Sequence, residues 1–209
     1  MRLTKHAAIL SAYGFFRYLC RGTVSGTDAL DKCRDRGFVL AANHGSYLDW
    51  LVLGGFFHYA YPLQVVYLTK ERLFKHPLWR FVINEDDCLM VSDEGTKIID
   101  RRDIGTIQCV AVFPEGTRSG NGSIGPGRPG AIKLAVKLAR PIIPVGLCGF
   151  YDAWPRHRLL PRPAKCSIVF GEPIDYRLPA GAVLSAHTLN EETNRLMERI
   201  SFLCGQPRS

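Results

Sequence analysis

The chain has 209 residues, 46% hydrophobic and 22% charged, with 20 glycines and 13 prolines. This is enough apolar mass for one substantial core and too much for a disordered or low-complexity chain, so 1–209 is expected to form a single α/β domain. The formal net charge of +8 favours an anionic partner: nucleic acid, an anionic membrane surface, or a substrate carrying phosphate or an acidic carrier. Nucleic acid is set aside because the basic residues are scattered (Lys5, Arg72, Lys75, Arg80, Arg101, Arg102, Arg118) and no basic helix, zinc-finger spacing or RNA-binding signature appears. The seven cysteines (20, 33, 88, 109, 148, 166, 204) are odd in number with no close pairs. That is neither a disulfide framework nor a zinc site, and it points to a reducing compartment with each thiol a small buried hydrophobe.

In chain order, "MRLTKHAAILSAYGFFRYLC" opens with basic residues and continues apolar to Arg17. It is too short to cross a bilayer and has no small-x-small cleavage site. An amphipathic helix within 1–22 is expected, with Ile9, Leu10, Tyr13, Phe16 and Leu19 near one face and Lys5 and Arg17 at its ends. That face could meet a membrane interface or cover the domain's own core. The apolar stretch from Trp50 to Leu68 is interrupted by His58, Pro62 and Gln64, which reads as a buried helix near 47–58, a turn at Tyr61-Pro62 and a strand at 64–69. Further strands are expected at 37–43, 88–92, 109–115, 142–150 and 166–172, and further helices at 70–82, 94–103, 130–139 and 186–204. The last helix sets Leu189, Leu196, Ile200 and Leu203 against the sheet. Alternating strands and helices predict a mixed, largely parallel central sheet covered on both faces, with reactive loops at strand carboxyl ends.

Two motifs occupy such ends. In "AANHGSYLDW" (41–50) a strand runs into His44-Gly45, and Ser46-Tyr47-Leu48-Asp49 fits a capping box. Residues five apart on one continuous helix point about 140° apart, so His44 and Asp49 meet only if His44 lies in the loop before the helix. Asp49 would then hold one imidazole nitrogen and leave the other as a base. In "FPEGTRSGNGS" (113–123) a strand enters a loop whose Gly116 and Gly120 amides, Thr117 hydroxyl and Arg118 guanidinium suit a phosphate. Glu115 reads as an orienting carboxylate beside that arginine, and an ordinary strand-to-turn connection is the plainer alternative.

Asn43-His44-x-Ser46-x-x-Asp49, followed by Phe113-Pro114-Glu115-Gly116-Thr117-Arg118-Ser119, resembles the PlsC-like glycerolipid acyltransferases typified by lysophosphatidic acid acyltransferases. Gly127-Arg128-x-Gly130-Ala131, "RPIIPVGL" (140–147) and "VFGEPID" (169–175) extend the likeness over about residues 24–175. The resemblance implies an enzyme like a 1-acylglycerol-3-phosphate O-acyltransferase. It would move an acyl group from acyl-CoA or acyl carrier protein to a hydroxyl or amine of a lysolipid or other small acceptor. His44 would be the general base and Asp49 its orienting partner, with no acyl-enzyme. Asn43, Ser46, Glu115, Gly116, Thr117, Arg118 and Arg128 would form the substrate-binding set, Arg128 standing for the family's usual lysine. The resemblance implies neither metal nor bound cofactor. Many such relatives carry membrane-spanning helices, whereas the apolar run in 1–22 is too short to span, so a cytoplasmic protein in peripheral contact with the cytoplasmic membrane face is expected.

One departure bears on the acceptor. Within 70–93, Asp93 stands where glycerol-phosphate-using relatives carry an arginine, and a carboxylate repels a phosphate. Arg101 or Arg102 could compensate. An amine-bearing or uncharged acceptor, such as a lyso-aminolipid or specialised metabolite, is therefore expected as an alternative, and a thioesterase using the same His-Asp pair is another. The basic, proline-rich stretch 150–163 reads either as a solvated loop or as a contact for an acidic carrier or the phosphates of CoA.

Overall fold

The structure is a computed structural model that describes residues 3–70, 88–92, 106–176 and 184–206. The expected helices at 70–82 and 94–103, and Asp93, Arg101 and Arg102, lie outside the described residues apart from Lys70. The strands are β1 (Thr23–Ser25), β2 (Phe38–Ala42), β3 (Val65–Lys70), β4 (Cys88–Val91), β5 (Cys109–Val112), β6 (Ile142–Cys148) and β7 (Ser167–Phe170). The helices are α1 (Leu3–Gly14), α2 (Asp28–Asp31), α3 (Leu48–Gly55), α4 (Gly130–Leu138), α5 (Phe150–Ala153) and α6 (Ala186–Leu203). Both α1 and α3 end in wider π turns, at Phe15–Leu19 and Phe56–Ala60.

The strands form one seven-stranded sheet in the order β1-β7-β6-β2-β5-β3-β4, with only the β6/β7 pairing antiparallel. The mixed, largely parallel sheet expected from the sequence is therefore present. β2 lies between β5 and β6 and is buried along its whole length. Its side chains alternate between two cores, as a central strand's must. Phe38, Leu40 and Ala42 face the core that takes Ala12 and Phe16 from the N-terminal segment and Val52 and Leu53 from α3. Val39 and Ala41 face the core that takes Ile132 from α4 and Leu196 and Ile200 from α6.

The expected face of α1 is split. Ile9, Tyr13 and Phe16 pack inward, whereas Leu10 and Leu19 are exposed. The π turn from Phe15 widens the helix, so a 3.6-residue period carried across it misplaces Leu19. Close approach of α1 to α3 is made possible by Gly55, where a Cβ would lie 2.5 Å from the Cβ of Tyr13. Strand β1 and the short α2 and α5 were not anticipated, being too short to carry a readable period. No described helix is long and apolar enough to cross a membrane.

Candidate active site

Parallel pairing of β2 with β5 and β6 brings the carboxyl ends of the three strands together. The first motif leaves β2 there and the second leaves β5. Asn43 ties the first loop to β6, its amide donating to Leu147 O at 3.1 Å and its Oδ1 accepting from Leu147 N at 2.7 Å. His44 follows in the loop, with its ring stacked on Phe113 at 4.2 Å between centroids.

His44 Nδ1 and Asp49 Oδ2 are 2.8 Å apart. The same Asp49 oxygen accepts the backbone N–H groups of Gly45 and Ser46, each at 2.8 Å. Asp49 is fully buried in the first turn of α3, and its Oδ1 has no hydrogen-bond partner. A carboxylate suits a helix N-terminus, where the backbone amides are unpaired and the dipole is positive. The expected capping box is half-formed. Asp49 does return to the Ser46 amide, but the Ser46 hydroxyl accepts from Leu48 N at 3.0 Å, one residue earlier than in the standard box, and donates to Trp154 O at 2.8 Å. The helix begins later than the box requires because the turn is closed around His44.

The second motif clamps the first. Glu115 Oε1 accepts from the His44 backbone N–H at 2.8 Å, Glu115 Oε2 accepts from Gly125 N at 3.1 Å, and Ser119 N donates to His44 O at 2.7 Å. Glu115 therefore orients the histidine's backbone rather than Arg118, its neighbour in sequence. Burial pushes the Glu115 carboxyl up from its ordinary range, opposed by those two amides. Gly116 sits at φ 69°, where a side chain is strained, with Arg128 against it; Arg128 N bonds Pro114 O at 2.8 Å. Thr117 is exposed. Arg118 lies over the Tyr47 ring at 3.7 Å, and its buried Nη1 has no hydrogen-bond partner.

A pocket of about 270 Å³ opens at this junction, walled in part by Asn43, His44 and Glu115 and in part by Gly149, Tyr151 and Gln206. The last three lie far away in sequence and were not anticipated, nor was Phe113 as the ring beneath His44. Among the described residues, no group of three or more His, Cys, Asp or Glu side chains could hold a metal ion.

The acyltransferase family model matches residues 21–148, a span that holds both loops of the pocket. The chain belongs to the acyltransferase family. Similar family members include a 1-acyl-sn-glycerol-3-phosphate acyltransferase from Cocos nucifera, 28% identical over 148 residues that cover 65% of this chain and 45% of the relative. A protein of the same name from Bacillus subtilis is 26% identical over 199 residues, covering 88% of this chain and 92% of the relative. The chain spans about half the length of the plant relatives it matches. The crystal structure of the 1-acyl-sn-glycerophosphate acyltransferase PlsC from Thermotoga maritima shares the fold, with a TM-score of 0.69, 24% identity and coverage of 100% of this chain and 86% of that one.

Proposed function

We propose that this acyltransferase-family chain transfers a fatty acyl group from a thioester, acyl-CoA or acyl carrier protein, to the hydroxyl or amine of a small acceptor, with a lysolipid as the leading class. The observation that carries the reading is the His44–Asp49 contact at 2.8 Å beside an open pocket. The names of the relatives support the acceptor class. The same reading treats the chain as one catalytic domain working peripherally at the cytoplasmic membrane face.

A neutral imidazole that donates Nδ1–H to Asp49 carries its lone pair on Nε2. Nε2 takes the acceptor's proton as its oxygen or nitrogen attacks the thioester carbonyl carbon, forming a tetrahedral intermediate. The C–S bond then breaks, and the departing thiolate takes the proton back from His44. Asp49 stabilises the transient imidazolium and fixes its tautomer. No protein nucleophile enters the sequence of steps. Arg118, with an unpaired buried N–H, binds an anionic group of donor or acceptor together with Gly116, Thr117 and Arg128, while Asn43, Ser46 and Glu115 hold the loops.

The test offers purified protein a panel of acceptors with each donor. Acylated product that depends on acceptor supports the reading. Release of free fatty acid at the same rate without acceptor would make the protein a thioesterase instead. Lysophosphatidic acid set against an uncharged and an amine-bearing acceptor decides whether Asp93 marks a nonstandard acceptor.

A further inference from the structure

The basic stretch after α5 carries two adjacent leucines, Leu159 and Leu160, that are 92% and 77% exposed. Single exposed leucines are ordinary, but these two stand together at the tip of one turn and none of the described residues covers them. Arg156, Arg158, Arg162 and Lys165 flank them, all exposed, and 155–165 contains no acidic residue. Among the described residues none of these four cations forms an ion pair with a carboxylate. The turn is also held in place. Arg162 N donates to Ala153 O at 2.9 Å, Arg162 Nε to Asp152 O at 2.8 Å and Trp154 Nε1 to Arg158 O at 3.1 Å. Its root reaches the site directly, because Trp154 O accepts the Ser46 hydroxyl and Tyr151 and Asp152 wall the pocket.

We propose that the 155–165 turn docks on an anionic lipid surface, with Leu159 and Leu160 entering the acyl boundary and Arg156, Arg158, Arg162 and Lys165 meeting headgroup phosphates. A free phosphate would engage the cations and leave both leucines in water. An acidic protein surface would need an apolar socket beside its carboxylates. A bilayer of anionic lipid supplies both chemistries at the right depths, and an apolar insertion joined to a basic patch is the two-signal arrangement that gives stable peripheral binding. Docking there would set the pocket mouth beside the bilayer. That consequence rests on the acyltransferase reading, whereas the binding itself does not.

The test is flotation of the full chain with phosphatidylcholine vesicles, with and without added phosphatidylglycerol and with neither donor nor acceptor present, so the docking and the activity can fail separately. The chain is expected to bind only the anionic vesicles. Joint Leu159→Ser and Leu160→Ser substitution should lower partitioning about tenfold or more, and each of Arg156→Glu and Arg158→Glu by at least about fivefold. Leu160→Trp should add a blue-shifted emission on anionic vesicles alone. The double serine variant should acylate detergent-dispersed acceptor at the parent rate. Equal partitioning of parent and double serine variant would overturn the proposal, as would binding indifferent to phosphatidylglycerol. Turn-dependent capture of an acidic carrier protein without vesicle binding would overturn it in favour of a protein partner.

Discussion

Oδ2 of Asp49 receives three donors at 2.8 Å, one from the His44 ring and two from the Gly45 and Ser46 backbone. One atom thereby shapes the turn and aligns the base. Turn closure and orientation of the base are consequences of the same buried charge.

His44→Ala should cut acyl transfer by roughly a thousandfold and lower stability by about 1–3 kcal/mol, since it removes the ring stacked on Phe113 and one of the three donors to the buried Asp49 carboxylate. Asp49→Asn should cut turnover comparably, because a neutral amide does not stabilise the imidazolium and buries an unpaired NH₂ where Oδ1 now has no partner. It should in addition cost about 1.5–3 kcal/mol of stability. Single-turnover assays and urea unfolding separate the two effects.

Glu115 provides a pH signature. Its folded carboxyl is held above its ordinary value by burial, so the folded state keeps this proton to a higher pH than the unfolded chain does. The stability Glu115 contributes is complete below the unfolded pKa and is lost as pH rises through the folded one. The unfolding free energy of the parent minus that of Glu115→Gln should therefore decline across that window, as read by urea titrations at successive pH values. At neutral pH the glutamine variant should still be the slower enzyme, since its oxygen can accept from only one of His44 N and Gly125 N and its NH₂ faces the other donor.

Arg118→Lys keeps the charge and loses the planar stack on Tyr47 and the forked donors. It should raise the KM for the substrate bearing the bound anion by about tenfold and change kcat much less. Steady-state kinetics with donor and acceptor varied in turn would show which of the two Arg118 holds.

Cys148, at the end of β6, lies 2.7 Å Sγ to Sγ from Cys204 beyond α6, and that contact lowers its pKa to about 7 while raising its partner's. Iodoacetamide labelling of Cys148 should therefore rise through half-maximum near neutral pH. Cys204→Ala should move the midpoint upward, because it removes the side-chain hydrogen bond that lowers the Cys148 thiol. Mass spectrometry of labelled peptides reads both.

Much of the sheet was legible because its strands are short apolar runs bounded by turns, and the six expected from pattern all occur, five with trimmed ends and β3 shifted by one residue. Those ends moved because hydrogen bonding, not hydropathy, terminates a strand: Phe113 to Glu115 continue the apolar run or its motif but already belong to the loop that grips His44. The N-terminal helix was legible as a helix and not as a face. Its π turn over Phe15–Leu19 buries Phe16 and leaves Leu19 exposed, a change of register that a fixed period cannot follow.

The sequence by itself determined the family motifs, the alternation of elements and the need for His44 to precede the helix that carries Asp49. These are local properties, written in spacing, turn residues and the chemistry of single side chains. Only the tertiary structure decided that Glu115 serves the His44 backbone, that Phe113 underlies its ring, and that Tyr151 and Gln206 complete the pocket wall. Those relations depend on which strands are neighbours in the sheet, and neighbours are chosen by burial of whole faces rather than by any one stretch of chain.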